Sequence, residues 1–112
     1  MVTDAKLKYK GSITIDADLV EAAGLFEGQL VFVNNTRNNG QDIHWETYVM
    51  KGEGGKGEII LNGPPAHLFK KGDVVIILGY VLVDLTEAKD VHPTTVHVDE
   101  NNKITSIEKG NI

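Results

Sequence analysis

Three groups of residues in this sequence have types and spacing that could do chemistry. The first is Gly11-Ser12, just after Tyr9. Glycine lets the backbone twist so that a following hydroxyl can attack the glycine carbonyl. The amide then becomes an ester, and β-elimination releases the upstream piece. The dehydroalanine left behind hydrolyses to a pyruvoyl group. The same dipeptide inside a strand also reads as a bulge or a close backbone approach. Patterning by itself favours the bulge, because Gly-Ser is a common pair. The second group is four histidines, His44, His67, His92 and His97. None has a second ligand type at a spacing known for metal sites, so they read as separate surface or turn residues. The third is the loop Gly52–Gly57, GEGGKG. It lacks the spacing and the Lys-Ser/Thr ending of a phosphate loop and reads as a hairpin turn. No Gly-x-Ser-x-Gly motif occurs, and the scattered acidic residues suit solvated faces.

These groups must be positioned by short elements. Twelve glycines in 112 residues signal many turns, and β-branched runs lie between them. Lys8–Ile15 alternates from Ser12 onward and reads as a strand that contains Gly11-Ser12. Asp16 suits an N-cap, Ala17–Ala23 has helical apolar spacing, and Gly24 supplies the stop. Leu30–Val33 is a short strand, 34–40 (NNTRNNG) a polar turn, and Trp45–Met50 alternates again. Glu58–Leu61 is a strand ended by Asn62-Gly63. Pro64-Pro65 opens a short helix through Phe69. Val74–Val83, VVIILGYVLV, is the longest apolar run; it is too short for a bilayer and reads as a buried strand. Leu85–Asp90 suits a helical turn. Thr94–Val98 and Ile104–Ile107 are strands around an Asn101-Asn102 turn. Six or seven short strands with two small helices predict a compact β-barrel rather than a βαβ sheet.

Composition narrows the function. A length of 112 residues predicts one domain, 1–112. With 41% apolar and 24% charged residues the chain is globular rather than disordered. It has no cysteine, which removes disulfides, iron–sulfur clusters and thiolate zinc sites. The net charge is −5 and Arg37 is the one arginine, which speaks against a nucleic-acid partner. The first ten residues hold no apolar export segment, so no membrane partner and a cytoplasmic location are expected. A domain this small gains from oligomerisation.

The order of short blocks along the chain resembles the pyruvoyl-dependent aspartate 1-decarboxylases. The blocks are Tyr9-Lys-Gly-Ser-Ile-Thr-Ile-Asp16, Leu19–Gly24, Glu46-Thr-Tyr-Val49, Leu61-Asn-Gly63, Ala66-His67 and Gly72-Asp-Val-Val-Ile-Ile77. They cover most of the chain, and their combination is specific. The resemblance implies a double-psi β-barrel, assembled as a homotetramer with sites between subunits. It implies cleavage between Gly11 and Ser12, and a pyruvoyl cofactor made from Ser12 that forms a Schiff base with the substrate amine. The reaction implied is L-aspartate to β-alanine, which feeds pantothenate and coenzyme A synthesis. By the match, Tyr48 is the proton donor; phenols hold their proton near neutral pH and can act as acids. Thr47 assists self-cleavage beside the scissile carbonyl. Asn62 holds the site through its amide. Tyr9 and the turn Gly63, Pro64, Pro65 and Ala66 border the substrate.

Three departures from the family pattern stand out. Family members begin with a strand containing Lys-Ile-His-x-Ala. This chain starts part-way through that block, at Met1-Val-Thr-Asp-Ala-Lys-Leu7, so the strand and its lysine are expected to be incomplete. A mis-called start accounts for this more simply than a true truncation. Next, His44 stands where the family has an arginine that grips a substrate carboxylate. An imidazole cannot make the bidentate fork of a guanidinium and is only partly charged near neutral pH. Last, the turn Gly-Glu-Arg-Gly of the family is here Gly52-Glu53-Gly54-Gly55, with Lys56 as a replacement charge. These changes leave two alternatives to aspartate decarboxylation. One is a related pyruvoyl decarboxylase for another amino acid, and the other is an uncut barrel that acts by assembly or binding. Retention of Tyr9, Ser12, Thr47, Tyr48 and Asn62 favours the enzyme. Self-cleavage could also require a maturation partner.

Overall fold

A computed structural model describes residues 1–6, 11–36 and 42–110. Tyr9 and Arg37 lie outside the described residues. Eight strands occur among the described residues: β1 (Asp4–Lys6), β2 (Ser12–Asp16), β3 (Leu30–Thr36), β4 (Asp42–Gly52), β5 (Ile59–Asn62), β6 (Val75–Gly79), β7 (Thr94–Val98) and β8 (Ile104–Lys109). One α-helix, α1 (Ala17–Ala23), and two 3-10 turns, Pro64–His67 and Ala88–Asp90, complete the elements.

Strands β1 to β6 form one mixed sheet in the order β1-β5-β2-β4-β3-β6, and β7 and β8 pair separately. Strand β2 lies between β5, to which it is antiparallel, and β4, to which it is parallel. The two outer edges come together just ahead of β1 and β6. There the Val2 N–H donates to the Asp73 carbonyl and the Gly72 N–H to the Val2 carbonyl, both at 2.9 Å. The sheet is thus rolled, and this mainly β architecture agrees with a double-psi β-barrel. Alternation builds the interior. Ile13 and Ile15 of β2, Val31 and Val33 of β3, Val49 of β4 and Leu61 of β5 form one buried cluster with Val2, Val20 and Phe69.

The β2–α1 junction forms as the sequence dictates. The Asp16 carboxylate accepts the Asp18 N–H at 2.8 Å and caps α1. Gly24 closes the helix at φ 72°, where its N–H reaches the carbonyls of Val20 and Glu21. Val20 seats the helix on the core.

Four features differ from the sequence expectation. Gly52–Gly57 is not a hairpin turn, because β2 separates β4 from β5. The same Asp16 carboxylate explains the path: it accepts the N–H groups of Gly55 (3.2 Å) and Gly57 (2.6 Å), folding the loop over the end of β2. Asn34 and Asn35 belong to β3 rather than to a turn, since the ladders with β4 and β6 extend through them. Gly11 precedes β2 instead of lying within it. The Val74–Val83 run is not a buried strand. Only Val75–Gly79 is a strand, at the sheet edge, with Val75 and Ile77 facing the core and Ile76 60% exposed. Val81 and Leu82 beyond it are exposed as well.

Candidate active site

Ser12 opens β2 and Asn62 closes β5, and the antiparallel register sets them directly opposite each other. Both are buried. The Asn62 Nδ2 donates to Ser12 Oγ at 3.0 Å and to Thr14 Oγ1 at 3.0 Å. Thr14 shares the face of Ser12, two residues along, so the amide reaches both hydroxyls. This arrangement engages a serine oxygen with a neutral donor, which favours negative charge developing on that oxygen.

Strand β4 lies on the other side of β2, with Ile13 beside Val49. Continued toward the start of β2, that register reaches Ser12 with Tyr48 and Gly11 with Thr47. Alternation places Tyr48 on the face of Ser12 and Asn62, and Thr47 on the core face with Val49. Burial agrees: Thr47 is buried, whereas Tyr48 is 56% exposed. The turn after Asn62 also returns to this place. Gly63 has φ 79° and ψ −145°, a conformation open in practice to glycine alone. It starts the 3-10 turn, in which the Ala66 N–H donates to the Gly63 carbonyl at 2.9 Å. A Cβ added to Gly11 would stand 3.9 Å from Pro64 Cδ, so the turn packs beside the Gly11-Ser12 bond.

A family model described as aspartate decarboxylase matches residues 1–105. The chain belongs to the aspartate decarboxylase family. It is 52% identical to the aspartate 1-decarboxylase of Caldicellulosiruptor saccharolyticus over 106 residues, 95% of this chain and 80% of that protein. It is 50% identical to that of Acetivibrio thermocellus over 107 residues, 96% of this chain and 82% of that protein. The protein of the same name from Corynebacterium efficiens is 51% identical over 106 residues, 95% of this chain and 76% of its own length.

Of the residues singled out by resemblance to aspartate decarboxylases, the structure brings together Gly11, Ser12, Asn62, Gly63 and Pro64. Thr47 and Tyr48 join them by register. Pro65 is buried beneath the turn and Ala66 half-buried in it. Tyr9 is outside the described residues. His44 stands apart: it is exposed, four residues before Tyr48 on β4, about 13 Å away at ordinary strand rise. Its Nδ1 lies 2.8 Å from Asn34 Oδ1, its cross-strand neighbour. An amide oxygen only accepts, so Nδ1 carries the proton and a neutral His44 has only an acceptor at Nε2. Sequence reasoning missed Thr14, whose signal was its i+2 spacing from Ser12. It also gave Asp16 a single role as a cap. No cluster of three or more metal-ligating side chains occurs among the described residues, and no helix there is long and apolar enough to cross a membrane.

Proposed function

We propose that this chain is an aspartate 1-decarboxylase, a lyase that converts L-aspartate to β-alanine with a pyruvoyl group made from its own Ser12. The family match over residues 1–105 carries this reading. The residues fit the group: a buried serine hydroxyl follows a glycine and accepts a hydrogen bond from the Asn62 amide. Ser12 Oγ attacks the Gly11 carbonyl carbon, and the Gly11–Ser12 C–N bond breaks as the C–O bond forms. Elimination of the Ser12 α-proton with the Cβ–Oγ bond frees Gly11 as a carboxylate. Water then replaces nitrogen on the dehydroalanine, and ammonia leaves. Asn62 stabilises charge on Oγ during the attack, and Thr47 supplies a hydroxyl near the Gly11 carbonyl.

The pyruvoyl group, once formed, supplies an electrophilic carbonyl for the substrate amine and an electron sink for departing carbon dioxide. Tyr48 lies on the face of Ser12, exposed, and delivers the proton that replaces the carboxylate. The Gly63–Ala66 turn and Tyr9 border the substrate. His44 binds the retained carboxylate. The backbone positions of Tyr48 and His44 in one chain are about 13 Å apart, and we assign the carboxylate to the His44 of a neighbouring subunit. A homotetramer with shared sites meets that need, and the exposed apolar side chains of 74–85 give it a surface.

Intact mass under denaturing conditions and β-alanine release test the proposal together. The native chain is expected to give two fragments, split between Gly11 and Ser12, and to produce β-alanine. Ser12→Ala is expected to stay whole and inactive. A cut chain that leaves aspartate untouched would redirect the search to another amino acid. A chain that stays whole even with cell extract, which would supply a maturation partner, overturns the reading.

A further inference from the structure

We propose that Thr14 is a positioning residue for cleavage of the Gly11–Ser12 bond. The inference rests on the reading of Ser12 as the pyruvoyl precursor. Two contacts on opposite sides of Thr14 fix its side chain. On the β4 side, its methyl lies against the backbone of Gly52: a Cβ added there would stand 3.0 Å from Thr14 Cγ2, closer than side chains ordinarily pack. On the β5 side, its hydroxyl accepts from Asn62 Nδ2 at 3.0 Å. A β-branched side chain has few χ1 choices. With the methyl held at Gly52, the oxygen is turned to Asn62.

The consequence falls on the amide. Asn62 has two Nδ2 protons and both are used, one on Thr14 Oγ1 and one on Ser12 Oγ. In this arrangement the amide presents its nitrogen, not its oxygen, toward β2, and Thr14 Oγ1 is one of the two oxygens it donates to. That orientation matters because the serine oxygen gains negative charge as it attacks, and only the nitrogen side of the amide can donate to it. Were the amide turned over, its oxygen would repel that charge. Thr14 touches neither the scissile carbonyl nor the substrate in this scheme; it acts through Asn62.

The test follows self-cleavage by intact mass over time in the full chain, purified uncut or captured early after synthesis. Thr14→Val keeps the shape and removes the acceptor. It is expected to slow cleavage about three- to tenfold, the effect of one lost hydrogen bond. Thr14→Ser keeps the oxygen and is expected to recover most of the rate. Thermal unfolding of the uncut chains separates position from stability, because Thr14→Ser loses the methyl packing yet should cut faster than Thr14→Val. Thr14→Val cutting at the native rate while the native chain cuts normally overturns the role of Thr14 and leaves Ser12 as precursor. Thr14→Ser as slow as Thr14→Val overturns it equally. A native chain that never cuts, even with cell extract added, overturns both.

Discussion

At the residue scale, the centre depends on one amide between two hydroxyls, and its weakest correspondence with the family is His44. The Asn34 oxygen accepts a hydrogen bond from His44 Nδ1. A neutral ring then offers a carboxylate only a lone pair, and binding requires the second proton on Nε2. His44→Arg restores a permanent, forked cation. We expect it to lower the KM for aspartate about tenfold or more, with the cut at Ser12 unaffected. A charge-assisted bond of about 2 kcal/mol or more is enough for that change. Steady-state kinetics check this, and an unchanged KM would remove His44 from the site.

At the element scale, Asp16 joins three segments: the end of β2, the start of α1 and the crossover loop. Burial opposes its charge, but the N–H groups of Gly57, Asp18 and Gly55, with help from Lys103, outweigh burial and hold its pKa below the ordinary 3.8. The sign follows from linkage. The folded value is depressed, so the charged form stabilises the fold fully above 3.8, and this is lost as pH falls through the lower folded value. Asp16→Ala leaves three backbone donors without their acceptor and is expected to destabilise the uncut chain by about 2 kcal/mol at neutral pH. Urea unfolding should show the gap narrowing as pH falls below 3.8. The cap itself was legible in the sequence, as were Gly24, the Pro64-Pro65 turn and the β7–β8 pair, because each is fixed by residues close in the chain. The crossover was not. Glycine-rich loops look alike whether they join paired or unpaired strands, and only the partner of Asp16, some forty residues on, decides between them. Ser12 and Asn62 were legible through family resemblance, whereas their contact required the register of β2 with β5. Thr14 was hidden because its methyl and hydroxyl suit any half-buried strand.

At the scale of the whole molecule, the apolar run Val74–Val83 failed as a buried strand because a single chain has nothing to cover most of it. Leu82 is fully exposed, and Val74, Ile76, Tyr80 and Leu85 are more than half exposed. Such a patch is large for a monomer of this size. If the proposed tetramer forms through this surface, Leu82→Asp is expected to give smaller species than the native chain in light scattering, and to lose decarboxylation with the proposed shared sites. Self-cleavage should persist, since Ser12, Thr14 and Asn62 belong to one chain. The joined sheet edges have a consequence of another kind. A cut at Gly11 turns β1 into a separate peptide. It is held by its parallel ladder with β5, by the buried Val2 side chain and by the backbone bonds of Val2 and Thr3 to the segments around them. None of these links is covalent. The proposed maturation would thus convert a unimolecular folding problem into a bimolecular one: the precursor could unfold and return, while the cut protein, once its short peptide diffused away, would have lost part of the information that folded it.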